Sequence, residues 1–488
     1  MPVLSAPQEL VREAQRLRDR GEFAAALQLL DKRLEQSPDD AEAARLRAQT
    51  LYWMKDVERA RAGYATAVGR HPGNTRLRLD FARMLAETGN RSAARALLEP
   101  LRRDSSASAE ADALLGTLAY WDGDYTGARR LFLSALRADP AQHEAARQLR
   151  EIQLISAPWL RVSPSLWHDD QSLDRSAVAL EAGWFVSPLL SLTVRSHPAR
   201  YSAGASRTFW SNEVEISHFA PAAHLETSAA AGAFRRPGDP TSVDWTGRLA
   251  VGLRAGAGVT LRGRVERAPY LHTVASLQIP VMADTALGLV HWNHSRGWIG
   301  EAALQRQQFP DGNIVRTRYG WLLAPLVHGA HSQLQAGYAV AGANADEDRF
   351  TFAQPQQPFP PADPRFSLAG VYTPYYTPAR VFTQSAIAAI TAGKRTGPVL
   401  RADGSYGFRA AEDATVFEVV GDQVVAAIHR RHYSPWTVRA ALEIPATPAL
   451  SWNVSGEAGR TAFYRWTTAR LQITYRFLPE ERTGESGR

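Results

Sequence analysis

The chain of 488 residues has no cysteine. Disulfides, thiolate metal sites and cysteine nucleophiles are thereby excluded. Lysine is nearly missing too, with only Lys32, Lys55 and Lys394. The formal net charge of +7 is therefore carried by arginine. It is spread along the chain rather than clustered, so nucleic acid is not an expected partner. No stretch approaches the ~18–20 apolar residues of a membrane-spanning helix. The opening MPVLSAPQELVREAQ lacks the basic region, apolar core and cleavage site of a signal peptide, so an exported chain would carry its signal ahead of residue 1. Also missing are the Gly-x-Ser-x-Gly elbow, the phosphate-binding Gly-Lys-Ser/Thr loop and the His-Glu-x-x-His pair. Neither enzymatic activity nor a cofactor is expected on these grounds. His429 and His432 lie close together in HRRHYSPW but without acidic company, and read as a basic strand-end cluster rather than a metal site.

What is present begins with a repeat. Gly21, Lys55, Gly89 and Gly123 are spaced by 34 residues, with Ala26, Ala60, Ala94 and Ala128 five residues after each. Ala14, Ala48, Ala82 and Gly116 lie seven before, and Pro38, Pro72, Ser106 and Pro140 seventeen after. Small residues let paired helices approach, a glycine or polar residue turns the chain, and proline closes the second helix. This pattern resembles the tetratricopeptide repeat, most clearly in YWDGDYTGARRLFLSALRADP, Tyr120 to Pro140. The resemblance implies an α-solenoid over residues 1–155 whose concave surface takes protein partners.

After REIQLISAPWLRVSP the texture changes to short alternating segments broken by Gly, Pro, Asn and Asp. LSLTVR, VTLRGRVER, WTVRAALEI, LSWNVSGE and WTTARLQITYRF each place apolar residues on one face and polar residues on the other. In the last, Ala469, Leu471, Ile473, Tyr475 and Phe477 oppose Arg470, Gln472, Thr474 and Arg476. At ~20 residues per strand and turn, residues 156–477 accommodate about 16 strands of membrane length. Trp184, Trp210, Trp292, Trp298, Trp321, Trp436, Trp452 and Trp466 would form aromatic girdles. The expected fold is therefore α + β and multidomain: a solenoid, then an antiparallel transmembrane β-barrel, then a tail at 478–488. A soluble sandwich or propeller also alternates. The polar faces rich in Arg, Glu, Asn and Thr, and the lack of a blade repeat, favour the barrel.

LQITYRF resembles the closing strand of bacterial outer-membrane barrels. Repeats followed by such a barrel resemble the exopolysaccharide-export porins, such as those for cellulose and poly-N-acetylglucosamine. YYTPARVF resembles a stretch in the cellulose exporters through Tyr375, Tyr376, Thr377, Pro378 and Phe382, with Ala379 standing where that pattern has glutamine. The resemblance implies a polysaccharide substrate, synthase components of the periplasm or inner membrane as partners of the repeats, and outer-membrane lipid around the barrel. The first domain would then lie in the periplasm. Sugars offer hydroxyls and flat C–H faces, so a wet lumen with many weak contacts would pass a chain without trapping it. Candidates for that path are Arg262, Arg264, Glu266, Arg439, Glu443, Asn453, Glu457, Arg470 and Arg476; each equally fits a structural charge pair across strands. The proline-rich stretch Ala343 to Phe366 is a candidate inward-folding loop. The alternatives are a barrel-anchored periplasmic scaffold and a barrel hydrolase or acyltransferase.

Overall fold

The computed structural model describes residues 6–104, 106–170, 173–236, 242–256, 258–352, 370–394, 397–421 and 423–478. The chain divides into two compact units, residues 1–155 and 156–488. The tail expected at 478–488 lies outside the described residues from position 479 onward.

The first unit is helical throughout: α1 Ala6–Asp19, α2 Phe23–Gln36, α3 Ala41–Trp53, α4 Val57–Arg70, α5 Thr75–Glu87, α6 Arg91–Leu98, α7 Ser108–Trp121, α8 Tyr125–Ala138 and α9 His143–Ile155. A 3₁₀ turn, Glu99–Arg103, extends α6 where Pro100 cannot continue the α-helical hydrogen bonding. The 34-residue spacing has a conformational basis. Gly21, Lys55, Gly89 and Gly123 all sit in the left-handed region, at φ of 80°, 67°, 90° and 81°. Each reverses the chain after the first helix of a pair. After Lys55, Gly89 and Gly123 the residue that follows caps the second helix with its side chain, while Glu22 after Gly21 does not. Asp56, Asn90 and Asp124 accept from the N–H of Arg59, Ala93 and Gly127, each such cap stabilising by about 1 kcal/mol. Ala26, Ala60, Ala94 and Ala128 are completely buried between paired helices. At Gly116 a Cβ would stand 2.5 Å from the Phe132 ring, so only glycine admits that ring.

The second unit is built from nineteen strands among the described residues. They are β1 Trp159–Asp169, β2 Asp174–Ser187, β3 Leu190–Ala203, β4 Ala205–Ala220, β5 Leu225–Arg235, β6 Val243–Gly256, β7 Val259–Tyr270, β8 Val281–Asn293, β9 Ile299–Gln308 and β10 Ile314–His328. Then follow β11 Ser332–Ala345, β12 Phe350–Phe352, β13 Gly370–Tyr372, β14 Val381–Gly393, β15 Val399–Val420, β16 Gln423–Tyr433, β17 Trp436–Pro445, β18 Leu450–Arg460 and β19 Arg465–Arg476. Sixteen close into an antiparallel barrel. β19 pairs back on β1, from Trp159 opposite Arg476 to Asp169 opposite Trp466. β12 and β13 form a separate small hairpin. β15 is long enough to do two things: residues 399–406 pair with β17, and residues 410–420 leave the barrel as an arm with β16. Trp159 and Arg476 mark what is called here the near end; the opposite end is the far end.

Directly opposed residues share a face, so the register sorts side chains into two sets. One set holds Leu180, Val194, Ile216, Leu249, Val290, Val454 and their like, all exposed and apolar. The apolar face is outward and exposed among the described residues. Trp184, Trp210, Trp292, Trp436 and Trp452 belong to it. Two expectations fail here. Trp466 faces inward, stacked on Trp167 at 6.1 Å, because Gly459 opposite it leaves room for the ring. Trp321 is also inward, opposite Glu301 and against His291. Trp298 lies in the β8–β9 turn rather than on a strand.

Lys55 is the one non-glycine residue in its repeat position, and its left-handed backbone is strained for an L side chain. Lys55→Gly is expected to raise the unfolding free energy of the helical unit by about 0.5–1 kcal/mol, and Gly89→Ala to lower it by a similar amount. Denaturant unfolding of the full chain, followed by helical circular dichroism, checks both signs.

Candidate functional site: the barrel lumen and its far mouth

The inner face carries a continuous charge network from β1 to β7. Arg161 donates to Glu181 at 2.9 Å, and Arg195 reaches the same carboxylate at 2.9 Å from the other side. Arg195 also bonds Glu213 at 2.7 Å and Glu215 at 3.0 Å. Arg248 on β6 pairs with Glu213 at 2.7 Å and with Glu215 on β4, passing over β5 altogether. It can do so because β5 offers only Ala230 and Gly232 at that level. A Cβ on Gly232 would stand 2.7 Å from the Thr246 hydroxyl oxygen and 2.2 Å from the Asn212 carbonyl oxygen. Glu266 continues the network, 4.0 Å from Arg248 and 3.5 Å from Arg264. The opposite wall has shorter pairs: Arg439 with Asp403 at 2.8 Å, Arg401 with Glu443 at 3.0 Å, and Glu301 with His291 at 3.5 Å and the Tyr319 hydroxyl at 3.0 Å.

The nine residues proposed from sequence all fall on this inner face. Arg264, Glu266, Arg439 and Glu443 take part in ion pairs. Asn453 lies opposite Glu443 and Gln472, and Glu457 opposite Arg439 and Thr468. Among the described residues no ion pair engages Arg262, Arg470, Arg476 or Glu457. Sequence reasoning missed the densest part, Glu181, Arg195, Glu213, Glu215 and Arg248. Their strands show the same alternation, and the usable signal was opposite charge at matched register.

The far mouth is crossed by two segments. A short helix, α10 Val274–Gln278, lies in the β7–β8 connection. Its Leu277 packs with Met282 against inward Ala177, Tyr201, Phe209 and Phe234 of β2 to β5. The other segment is the strap 373–380, which contains the tyrosine motif. Thr273 donates to the Pro374 carbonyl at 2.8 Å and the Tyr270 hydroxyl accepts from the Tyr376 N–H at 3.3 Å, so the two segments meet. The buried Tyr375 stacks on Phe309 and donates to Asp311 at 2.6 Å. Arg349 donates to Asp311 at 2.9 Å. Tyr376 contacts Phe463 in the β18–β19 turn and Glu412 on the β15 arm. Strands β8 to β11, β14, β15, β17 and β18 separate the β7–β8 connection from the β18–β19 turn, which is half the barrel. The strap therefore spans the mouth from wall to wall. Thr377 donates to Asp348 at 3.0 Å and accepts from the Arg349 N–H at 2.9 Å, Pro378 is hydrogen-bonded through its carbonyl to Ala345, and Phe382 faces outward on β14.

Electrostatics tighten this crossing. Burial would raise Asp311, but the Tyr375 hydroxyl, the Asn313 N–H and Arg349 outweigh it and hold the carboxyl below its ordinary range. Burial raises the Tyr375 and Tyr376 hydroxyls, and neighbouring carboxylates add to the effect, so both stay neutral donors. Burial, with Arg175 second, lowers His272.

Of the inward-folding loop expected at Ala343 to Phe366, only positions 343–352 are among the described residues. Residues 343–345 complete β11, 350–352 form β12, and 353–366 lie outside the described residues. The crossing belongs to the tyrosine segment downstream. The acidic company missing around His429 comes from the partner strand, where Glu418 is 2.9 Å away. Among the described residues no cluster fits a metal ion.

A closed sheet with its apolar face turned outward and a charged inner face defines a transmembrane barrel, the kind found in outer membranes. In front of it stand tetratricopeptide repeats, whose family model matches residues 17–68 and 63–118. Among solved structures, a bacterial polysaccharide outer membrane secretin aligns over 66% of this chain and 99% of its own, at 10% identity and TM-score 0.48. MamA from Desulfovibrio magneticus RS-1 aligns over 30% of this chain and 85% of its own, at 21% identity and TM-score 0.27. PilF from Pseudomonas aeruginosa aligns over 30% and 67%, at 20% identity and TM-score 0.29. No curated protein matches the sequence significantly.

Removing Arg195 would take one partner from each of Glu181, Glu213 and Glu215, leaving Arg161 on the first and Arg248 shared by the other two. Arg195→Gln is expected to destabilise the barrel by roughly 1–3 kcal/mol, below the ~3–5 of a fully buried pair because the side chain is partly exposed. Arg262→Gln, which breaks no ion pair, is expected to leave stability within ~0.5 kcal/mol. The temperature at which each full-length variant loses its compact electrophoretic mobility distinguishes them.

Proposed function

We propose that the protein is an outer-membrane porin that exports a polysaccharide, with the repeats in the periplasm recruiting synthase components. The supporting observation is the inner face: opposed acids and bases at matched register around a sixteen-stranded barrel, with Arg262, Glu457, Arg470 and Arg476 in no ion pair among the described residues and available to sugar hydroxyls. The paired charges keep the wall wet without a net field that would trap a chain, and the unpaired ones offer exchangeable contacts. In this reading the near end opens to the periplasm and the strap closes the outer mouth until a chain arrives. Tyr375, Tyr376, Thr377 and Pro378 then serve as the gate. The transported polymer is cellulose-like or related, and no chemical step is required of the protein.

The crossed mouth also favours a second reading, a barrel that anchors a periplasmic scaffold and conducts nothing. Conductance of the full-length protein in a planar bilayer separates the two. Export predicts a low resting conductance that rises in Tyr376→Ala, which releases the Phe463 and Glu412 contacts, and a block by one polysaccharide. A scaffold predicts no conductance in either protein.

The gate carries a pH signature. Because the folded Asp311 carboxyl titrates below its unfolded value, its anchoring is complete above about pH 4 and is lost as pH falls through the folded pKa. Conductance is expected to stay low down to about pH 4 and to rise only as pH falls further, through the folded pKa, and Asp311→Asn to show the raised conductance already at pH 7. Conductance at pH 7 that is unchanged in Asp311→Asn would contradict this anchoring.

A further inference from the structure

The outward face is apolar over most of its height; toward the far end charges appear, as in the Arg267–Asp284 pair of β7 and β8, and on β9 to β11 arginine predominates. A row of outward residues runs across β6 to β8 as Leu249, Val265 and Ala286. On the next strands the same row becomes Arg306, Arg316, Asn344 and finally Arg380, just ahead of β14. Arg318 lies one outward position toward the near end, beside Gly342. Arg306 and Arg316 are directly opposed, an arrangement that repels unless an anion lies between. Asp346 answers Arg316 and Asp413 answers Arg380. Among the described residues no carboxylate answers Arg306 or Arg318; Arg306 bonds only the Gln308 amide oxygen, at 3.1 Å.

The same residues edge a concavity in the outer surface. Its volume is about 1140 Å³, bordered by Leu249, Val251, Val265, Leu304 and Phe382 together with these arginines. A second hollow of about 790 Å³ continues toward the near end over Ala302, Gly320 and Val340. Small outward side chains on β8 to β11 make the floor, while Leu249 and Phe382 stand on either side. Both volumes compare with ~300–1,000 Å³ for ordinary ligand pockets. An uncompensated arginine on a barrel's lipid face is costly at mid-membrane and tolerated near the interface. Guanidinium pairs hold phosphate in bidentate fashion.

We propose that this groove is a binding site for a phosphorylated multi-acyl glycolipid, of the lipid A type, in the leaflet at the far end. Its phosphates would neutralise Arg306 and Arg318, and its acyl chains would fill the two apolar hollows. The proposal rests on the outer-membrane orientation given above.

The test is native mass spectrometry of the full-length protein with bis-phosphorylated lipid A, with dephosphorylated lipid A, and with phosphatidylglycerol. The protein is expected to retain bis-phosphorylated lipid A at least tenfold more strongly than either other lipid. Arg306→Gln with Arg318→Gln should abolish that preference, and Arg306→Lys with Arg318→Lys should keep most of it. Equal retention of the dephosphorylated lipid overturns the proposal, and so does undiminished binding by the glutamine variant. Equal retention of phosphatidylglycerol overturns it in favour of a general anionic-lipid contact. Should the glutamine variant fail to fold, the comparison of phosphorylated and dephosphorylated lipid on the unmodified protein decides alone. Conductance measured on the same preparations keeps the two readings apart. Lost lipid preference with intact conductance removes only the groove, whereas failure to insert removes the porin reading with it.

Discussion

A strand in lipid has no water to take its backbone N–H and C=O groups, so every one must find another strand. The antiparallel ladder between β1 and β19 meets that demand by joining the two ends of the barrel sequence, from Trp159 to Arg476. Everything else in the second unit follows from this closure. Once the ring is shut, each strand must present one face to lipid and one to the lumen, and alternation becomes a sorting of chemistry by parity. The inward set then collects Glu181, Arg195, Glu213 and Arg248 at a common level, and the outward set collects leucine, valine and tryptophan. Closure also forces the connections at the far end to share a mouth of fixed width, which is why α10 and the tyrosine strap can touch.

Much of this was legible before any coordinates. The 34-residue registers marked residues whose backbone is left-handed or whose methyl group is entirely buried, because those positions have few acceptable occupants. Strict alternation in residues 450–457 and 469–477 marked faces correctly, since period two is the only period a strand permits. The tryptophans were less informative. Trp321 looks like Trp452 in sequence, yet its register places it inward beside the Glu301–His291 pair, whereas Trp466 shares the parity of Arg470 and Gln472 and finds room opposite Gly459. Such partners lie on neighbouring strands and are set by register, which one sequence does not display.

The lumen network and the mouth were hidden for the same reason. Arg248 and Glu213 are 35 residues apart, and their meeting depends on what β5 omits. Tyr375 and Asp311 are 64 residues apart and meet only because the strap returns over the β9–β10 turn. Local pattern identifies the kinds of surface a chain will make; pair geometry across the ring decides which residues on those surfaces act together.

The bareness of β5 has a consequence for how the barrel is assembled. Ala230 and Gly232 are the positions over which Arg248 reaches the β4 carboxylates. Were β5 to slip by one residue against β4, outward Ala231 would replace them and the face of the whole strand would invert. Were it to slip by two, Phe234 or Ser228 would occupy the crossing and obstruct the guanidinium. The clasp between β4 and β6 can form in one alignment of the strand beneath it. An electrostatic bond between two strands thus acts as a checkpoint on a third that carries no charge there, verifying its placement as the ring is sewn shut.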